Sequence, residues 1–367
     1  MALDTTTTNL VVGRKESVTD ELLLLDPHTT PMIAMLGFGT PAVNTEHIWY
    51  EDEMFGVKTT ATAEADEAAT ELTVGDASIF VKDHIVLIGE EFVKVKEVDL
   101  SGNTITVERG YVGTEAGAIK EGDTLDIQYL EGYEGMDAVD ARYKPRKKVS
   151  NVTQIFTDSI NVSGTQQAVE NYSIDNFYGY EKDKVQKMLA LQLEKAVLNG
   201  VQVDDGIIRK MKGIRNFVKT NVNPAAGKLT EGVINDAIQS IYEAGGFQDG
   251  GVGGYEIVVG PTLKRAISGF DKSIVRLNQG DSKRGTVVNF LTTDFGEFPV
   301  SINNNLRADE VLIIDKNRIK IRPLKGREFF HEYLGKQGDY LKGMVVGEYT
   351  VELQQEKAHA LLKGATL

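Results

Sequence analysis

The chain contains no cysteine. Disulfides, thiolate metal sites and cysteine nucleophiles are therefore excluded, and a reducing compartment is the expected place of synthesis. Histidine is scarce. His28, His47, His84, His331 and His359 are the whole set, and none lies within five residues of another, so no helical histidine pair can grip a metal. Long apolar runs are missing too. The beginning, "MALDTTTTNLVVGRKESVTDELLLLDP", is polar for eight residues, and its run Leu22–Leu25 is far too short for a membrane span or a secretory core. Neither a Walker A loop nor a GxSxG elbow occurs.

The glycine run "GGVGG" (250–254) is no dinucleotide fingerprint. Glu256 stands where the last glycine of a GxGxxG beginning at Gly251 would be, and the run precedes a strand pattern, whereas a phosphate loop follows one. Asp204 and Asp205 lack the alternating acidic ligands of an EF-hand loop. The three carboxylates of "WYEDE" point to alternate faces if the segment is a strand, which suits a solvated or contact surface better than acid–base work. No catalytic, cofactor-binding or metal-ligating set is expected.

Basic charge is in deficit: 40 Lys and Arg face 54 Asp and Glu, for a net charge of −14. That balance opposes general nucleic-acid binding, whose affinity comes mainly from cations on phosphates. The deficit is localised. Residues 57–128 carry 15 acidic and 6 basic side chains, a net −9, and all other residues together only −5.

What is present reads as α+β. Residues 1–40 look like an arm, with "SVTDELLLL" as two turns of helix and breaks at Pro27 and Pro31. "EHIWYEDEM" (46–54) reads as a strand. The acidic segment holds five short β-patterned runs, "ELTV", "HIVLIG", "EFVKVKEVD", "TITVERG" and "TLDIQ", separated by Gly-, Asp- and Asn-rich turns. Five closely spaced strands predict a small closed or half-closed barrel inserted into the chain. "VSNVTQIFTDSINVSG" (149–164) is again β-patterned, as if returning along the strand left near Trp49. In "YEKDKVQKMLALQLEKAVLNG", Val185, Leu189, Leu193 and Val197 recur every fourth residue, with Met188, Leu191 and Ala196 widening the stripe and Gly200 as a stop. A second helix starts at the N-cap Thr230 and buries Ile234, Ala237, Ile238 and Ile241. A strand "YEIVVG" precedes a helix beginning at Pro261. "FPVSINN", "VLIIDKNRIKIRPL" and "KGMVVGEYTVELQQ" are further strands.

One stretch runs against the overall charge. "RYKPRKK" (142–148) places Arg142, Lys144, Arg146, Lys147 and Lys148 directly after the acidic insertion. Three readings are open for it: a contact to acidic surface on a partner, a solvated turn, or a contact to nucleic acid.

The order of parts resembles the major capsid proteins of tailed bacteriophages with the Hong Kong 97-type fold. The phrases that carry the likeness are "RKESVTDELLLLDPHTTPMIAMLG", "GFGTP", "HIWYEDEM", "NVTQIFTDSINVSGT", "LQLEKAVLNG", "TDFGEFPVSINN", "LRADEVLIIDKNRIKIRPL" and "GDYLKGMVVGEYTVELQQEKAHALLKG". They span nearly everything outside 57–128. The resemblance implies an N-terminal arm (1–40), an extended E-loop (41–56 and 129–164) and a small β-domain inserted in it (57–128). It further implies a peripheral domain with a long spine helix (165–230), an axial domain (231–320) and return strands of the peripheral domain (321–367). It implies a non-enzymatic protein that assembles with itself as hexamers and pentamers into an icosahedral or prolate shell around double-stranded DNA. The expected partners are a separate scaffolding protein, a portal, a decoration protein and packaged DNA touched non-specifically, with no membrane. The expected place is the virion, after assembly in the host bacterial cytoplasm. On that picture the five basic residues are an intersubunit contact. Two other readings stay in view: another virion component or adhesin using the small β-domain, and an α+β enzyme binding an anion at the helix after Pro261.

Overall fold

The computed structural model describes residues 30–138, 142–169, 174, 176–247, 253–270, 290–336 and 338–366. The expected helix in "SVTDELLLL", and His28, lie outside them. The chain passes through α1 (Pro31–Leu36) and β1 (Glu46–Glu51). It then makes an excursion of six strands: β2 (Lys58–Thr60), β3 (Glu71–Thr73), β4 (His84–Ile88), β5 (Glu91–Asp99), β6 (Thr104–Glu108) and β7 (Thr124–Leu130). It returns in β8 (Lys147–Val152), β9 (Gln154–Ser163), α2 (Gly164–Ala168) and α3 (Phe177–Asn199). Next come β10 (Val203–Asp204), β11 (Arg209–Lys210), α4 (Ile214–Phe217), β12 (Val222–Lys228), α5 (Glu231–Glu243), β13 (Tyr255–Val259) and α6 (Pro261–Ile267). Seven strands finish the fold: β14 (Phe290–Thr293), β15 (Gly296–Ile302), β16 (Glu310–Asp315), β17 (Ile319–Pro323), β18 (Phe330–Lys336), β19 (Tyr340–Leu353) and β20 (Ala360–Thr366).

Two compact units result. The first is residues 1–49 with 148–367, the second 50–147. β1 pairs with β8 in a two-stranded ribbon, so the chain does come back along the strand it left near Trp49, and the division between the units falls within that ribbon.

In the first unit, the fourteen-residue strand β19 organises one sheet. It pairs antiparallel with β9 through residues 340–349, with β18 through 341–346, and with β17 through 349–353. α3 packs on β9 and β19. Its stripe Val185, Leu189, Leu193 and Val197 is buried as the spacing predicts, whereas Met188 is 44% exposed and lies off that face. Gly200 ends the helix for a different reason from the one expected. Its φ is −53°, not left-handed. A Cβ there would lie 2.5 Å from the carbonyl oxygens of both Ala196 and Met211, so the residue is glycine because two backbone segments cross against it.

A second sheet in this unit has the order β12-β20-β16-β13-β15-β14. Its central strands divide their side chains between two cores. Val258, Leu312, Ile314 and Leu361 join α3 in one, while Ile257, Val259, Val311, Ile313 and Leu362 join α5 in the other. Strand segments buried on both faces need apolar residues at every position, which is why "IVV" and "VLII" read as unbroken runs. α5 closes the second core with Ile234, Ala237, Ile238 and Ile241, all fully buried, and Thr230 caps it by accepting from the Val233 N–H.

The second unit has its own core of Val86, Val93, Val95, Ile105, Val107 and Leu125, among others. Its six strands run in the order β2-β7-β4-β5-β6-β3. The two edge strands then meet each other: Ala61 and Val74 form an antiparallel bridge, and the Gly75 N–H donates to the Thr60 carbonyl at 3.0 Å. Five of these strands are β-patterned in the sequence; β2 is not, because its three residues Lys-Thr-Thr carry no apolar alternation. The unit is also wider than 57–128, and residues 154–163, expected in an extended loop, instead form β9 in the body sheet of the first unit.

Candidate functional site

The basic stretch 142–148 meets the acidic residues of "WYEDE". Arg146 Nε lies 3.3 Å from Asp52 Oδ2, and Lys144 Nζ lies 3.4 Å from Glu53 Oε2 and 3.3 Å from the Met54 carbonyl. Asp52 and Glu53 follow β1 directly and Arg146 precedes β8, so the ion pairs extend the ribbon past its last backbone pairing. Arg142 is held differently. It donates to the Ile79 carbonyl at 2.5 Å, and its guanidinium carbon sits 4.7 Å from the centre of the Phe55 ring. Lys147 and Lys148 are exposed on β8, with no ion pair among the described residues. Both stretches stand out in the sequence but their pairing does not, since 91 or more residues separate the partners.

These pairs are exposed, and such pairs are typically worth about 0–1 kcal/mol each. What the arrangement does is hold two chain segments side by side and present a mixed-charge edge. Residues 50–147 carry 22 acidic and 10 basic side chains, so a net −12 of the chain's −14 belongs to the second unit.

The root of the ribbon is built from buried polar contacts within the first unit. His47 Nε2 lies 2.6 Å from Glu352 Oε2, and Arg322 and Gln354 donate to the same carboxylate. Burial would raise the Glu352 pKa, but hydrogen bonds from His47, Arg322 and Gln354 outweigh it and bring it down to about 2. Arg322 also donates to the carbonyl and hydroxyl of Thr40. Trp49 is 7% exposed and packs on Phe217 with ring centres 6.0 Å apart. Four residues earlier on the same strand, Glu348 is buried between Arg209, Arg327 and the Thr153 hydroxyl.

A second anchor holds the entering chain. Glu194, on the buried face of α3, is fully buried. Its carboxylate accepts the Met32 and Ile33 N–H groups, each at 2.9 Å, and the Asn303 amide at 2.6 Å. Thr30 supplies no side-chain cap to α1. Glu194 does so from 162 residues away, its charge matched to the positive end of the helix. Burial pushes its pKa up against those three bonds.

The remaining sequence candidates are structural in their contacts. His359 is fully buried, accepts the Asp315 N–H at 3.1 Å, and is lowered by burial to about 3. His331 bonds the Tyr178 hydroxyl at 2.8 Å. His84 accepts the Val81 N–H. At the helix after Pro261, Lys264 is turned inward and donates to the Val300 carbonyl at 3.0 Å. Among the described residues no group of three or more His, Asp or Glu is placed to hold a metal, and no helix is long and apolar enough to cross a membrane.

The fold has counterparts among solved structures. It is similar to a chain of the cyanophage A-1(L) capsid asymmetric unit, with TM-score 0.60, 11% identity, and coverage of 98% of this chain and 99% of that one. A chain from Mycobacterium phage Adephagia matches at TM-score 0.53 and 10% identity, covering 98% of each. The capsid of a native GTA particle matches at TM-score 0.50 and 9% identity, covering 98% and 97%. A search of curated protein sequences finds no match. The model of the SU10 major capsid protein family matches residues 3–366. The chain belongs to that family and is a shell-forming capsid protein of the virion.

Proposed function

We propose that this protein adopts the Hong Kong 97-type variant of the capsid fold and assembles as hexamers and pentamers into an icosahedral or prolate shell around double-stranded DNA. The observation that carries the reading is the family match along residues 3–366, joined to a fold in which a long helix lies on a sheet and a two-stranded ribbon leaves it. In this reading residues 1–40 are the N-terminal arm, the β1–β8 ribbon is the E-loop, and the second unit, which contains 57–128, is a small barrel inserted there. α3 is the spine helix, α5 with its core belongs to the axial domain, and β18–β19 return to the peripheral domain.

The mechanism is assembly, not turnover. Shell contacts are individually modest, and closure makes many of them act together. Of the basic stretch, Lys144, Arg146, Lys147 and Lys148 form an intersubunit contact for acidic surface on a neighbouring copy, whereas Arg142 is turned to Phe55 and the Ile79 carbonyl. Lys147 and Lys148 are best suited to it, since Lys144 and Arg146 already face Glu53 and Asp52. A separate scaffolding protein, a portal and a decoration protein complete the particle, which forms in the host bacterial cytoplasm and touches its DNA non-specifically. Electron microscopy of the purified protein tests the reading. Closed particles or rings that depend on concentration support it, and a monomer without particles, even alongside its scaffold, removes it.

A further inference from the structure

The second unit contains a cleft of about 580 Å³ whose lining residues all lie within it. Ligand sites commonly run from about 300 to 1,000 Å³. The floor is apolar: Phe80 is 3% exposed, and Phe55, Val98 and Met136 are half-buried beside it. The mouth carries two tyrosines left open to solvent, Tyr133 at 66% and Tyr143 at 84% exposure. Exposed polar groups of both signs line it as well. Arg142 is fixed by the Phe55 ring and the Ile79 carbonyl, which occupies one of its five N–H donors. Lys82, Glu97 and Asp137 also line the cleft, without an ion pair among the described residues.

This chemistry selects an occupant. A polyanion would meet Glu97 and Asp137, and a polycation would meet Arg142 and Lys82. A purely apolar ligand would strip water from all four. The fitting ligand is uncharged, rich in hydroxyls, and has apolar C–H faces. Its C–H faces would lie on the tyrosine rings, whose faces carry negative charge density. Its hydroxyls would take the guanidinium and ammonium donors and the carboxylate acceptors, in the way specific sites use a few placed polar groups. We propose that the cleft lined by Phe55, Phe80, Tyr133, Arg142 and Tyr143 is a binding site for a neutral saccharide.

The test uses the full-length chain on an array of immobilised neutral, acidic and cationic oligosaccharides, with calorimetry on whatever is retained. Neutral oligosaccharides should be retained. Tyr133→Ala and Tyr143→Ala should each weaken binding by about tenfold. Both side chains are exposed, so the folded state should survive, as circular dichroism will report. Tyr242→Ala, at a 58% exposed tyrosine of the other unit, should bind as the unaltered chain does. Retention of nothing, retention of charged oligosaccharides alone, or undiminished binding by both tyrosine variants overturns the proposal.

Discussion

Glu352→Gln removes one charge from the root of the ribbon while keeping the side chain's shape. The residue is 3% exposed, and His47, Arg322 and Gln354 converge on its carboxylate. Folding takes its pKa from 4.5 to about 2. Each pKa unit corresponds to about 1.4 kcal/mol, so the ionised carboxylate contributes about 3 kcal/mol at neutral pH. Because the folded value is the lower one, the contribution is complete above the unfolded value near 4.5 and is lost as pH falls toward about 2. The assay is urea unfolding of the unassembled chain and of Glu352→Gln at a series of pH values. The two should differ by about 3 kcal/mol at neutral pH and converge as the solution is acidified through that window. A difference below about 1 kcal/mol at neutral pH, or one that does not change with acidification, refutes the anchor.

Three further outcomes follow from the contacts. Glu194→Ala leaves two helix N–H groups and the Asn303 amide without their acceptor, and should cost about 3–5 kcal/mol in the same unfolding assay, with protease cleavage near residue 30 increased. Gly200→Ala forces a Cβ to within 2.5 Å of two carbonyl oxygens, so it should destabilise by about 1–3 kcal/mol although alanine favours helices; an unchanged melting temperature would contradict the crossing. Replacing residues 50–147 with Asn-Gly should turn β1 and β8 into a simple hairpin and leave the first unit folded, because the second unit has its own core; loss of cooperative unfolding would show the two cores to be interdependent.

Local chemistry made much of the fold legible. Thr230 and the residues Ile234, Ala237, Ile238 and Ile241 sit within one short window, and they describe α5 completely. The same is true of Pro261 at the start of α6 and of the unbroken apolar runs in β13 and β16. What stayed hidden depends on partners remote in sequence. β2 is three polar residues that become a strand only because β7 supplies its hydrogen bonds. The Ala61–Val74 bridge that joins the edge strands has no local signature. Glu194 reads as an ordinary helical glutamate until the chain near residue 32 is brought against it. The basic stretch was visible, and its acidic partners were visible. Only the β1–β8 pairing says that Arg146 faces Asp52.

That pairing also bears on the proposed assembly contact. Neutralising Lys144, Arg146, Lys147 and Lys148 together should weaken assembly, and raising salt should weaken assembly of the unaltered chain more than that of the variant. Normal assembly with reduced genome packaging would instead assign these side chains to DNA.

The most direct measurement is electron microscopy of the purified full-length protein across a range of concentrations, alone and with the proposed scaffolding protein. The account predicts closed particles, or rings on the way to them, above a threshold concentration. A protein that remains monomeric at every concentration and forms no particle in either condition contradicts it.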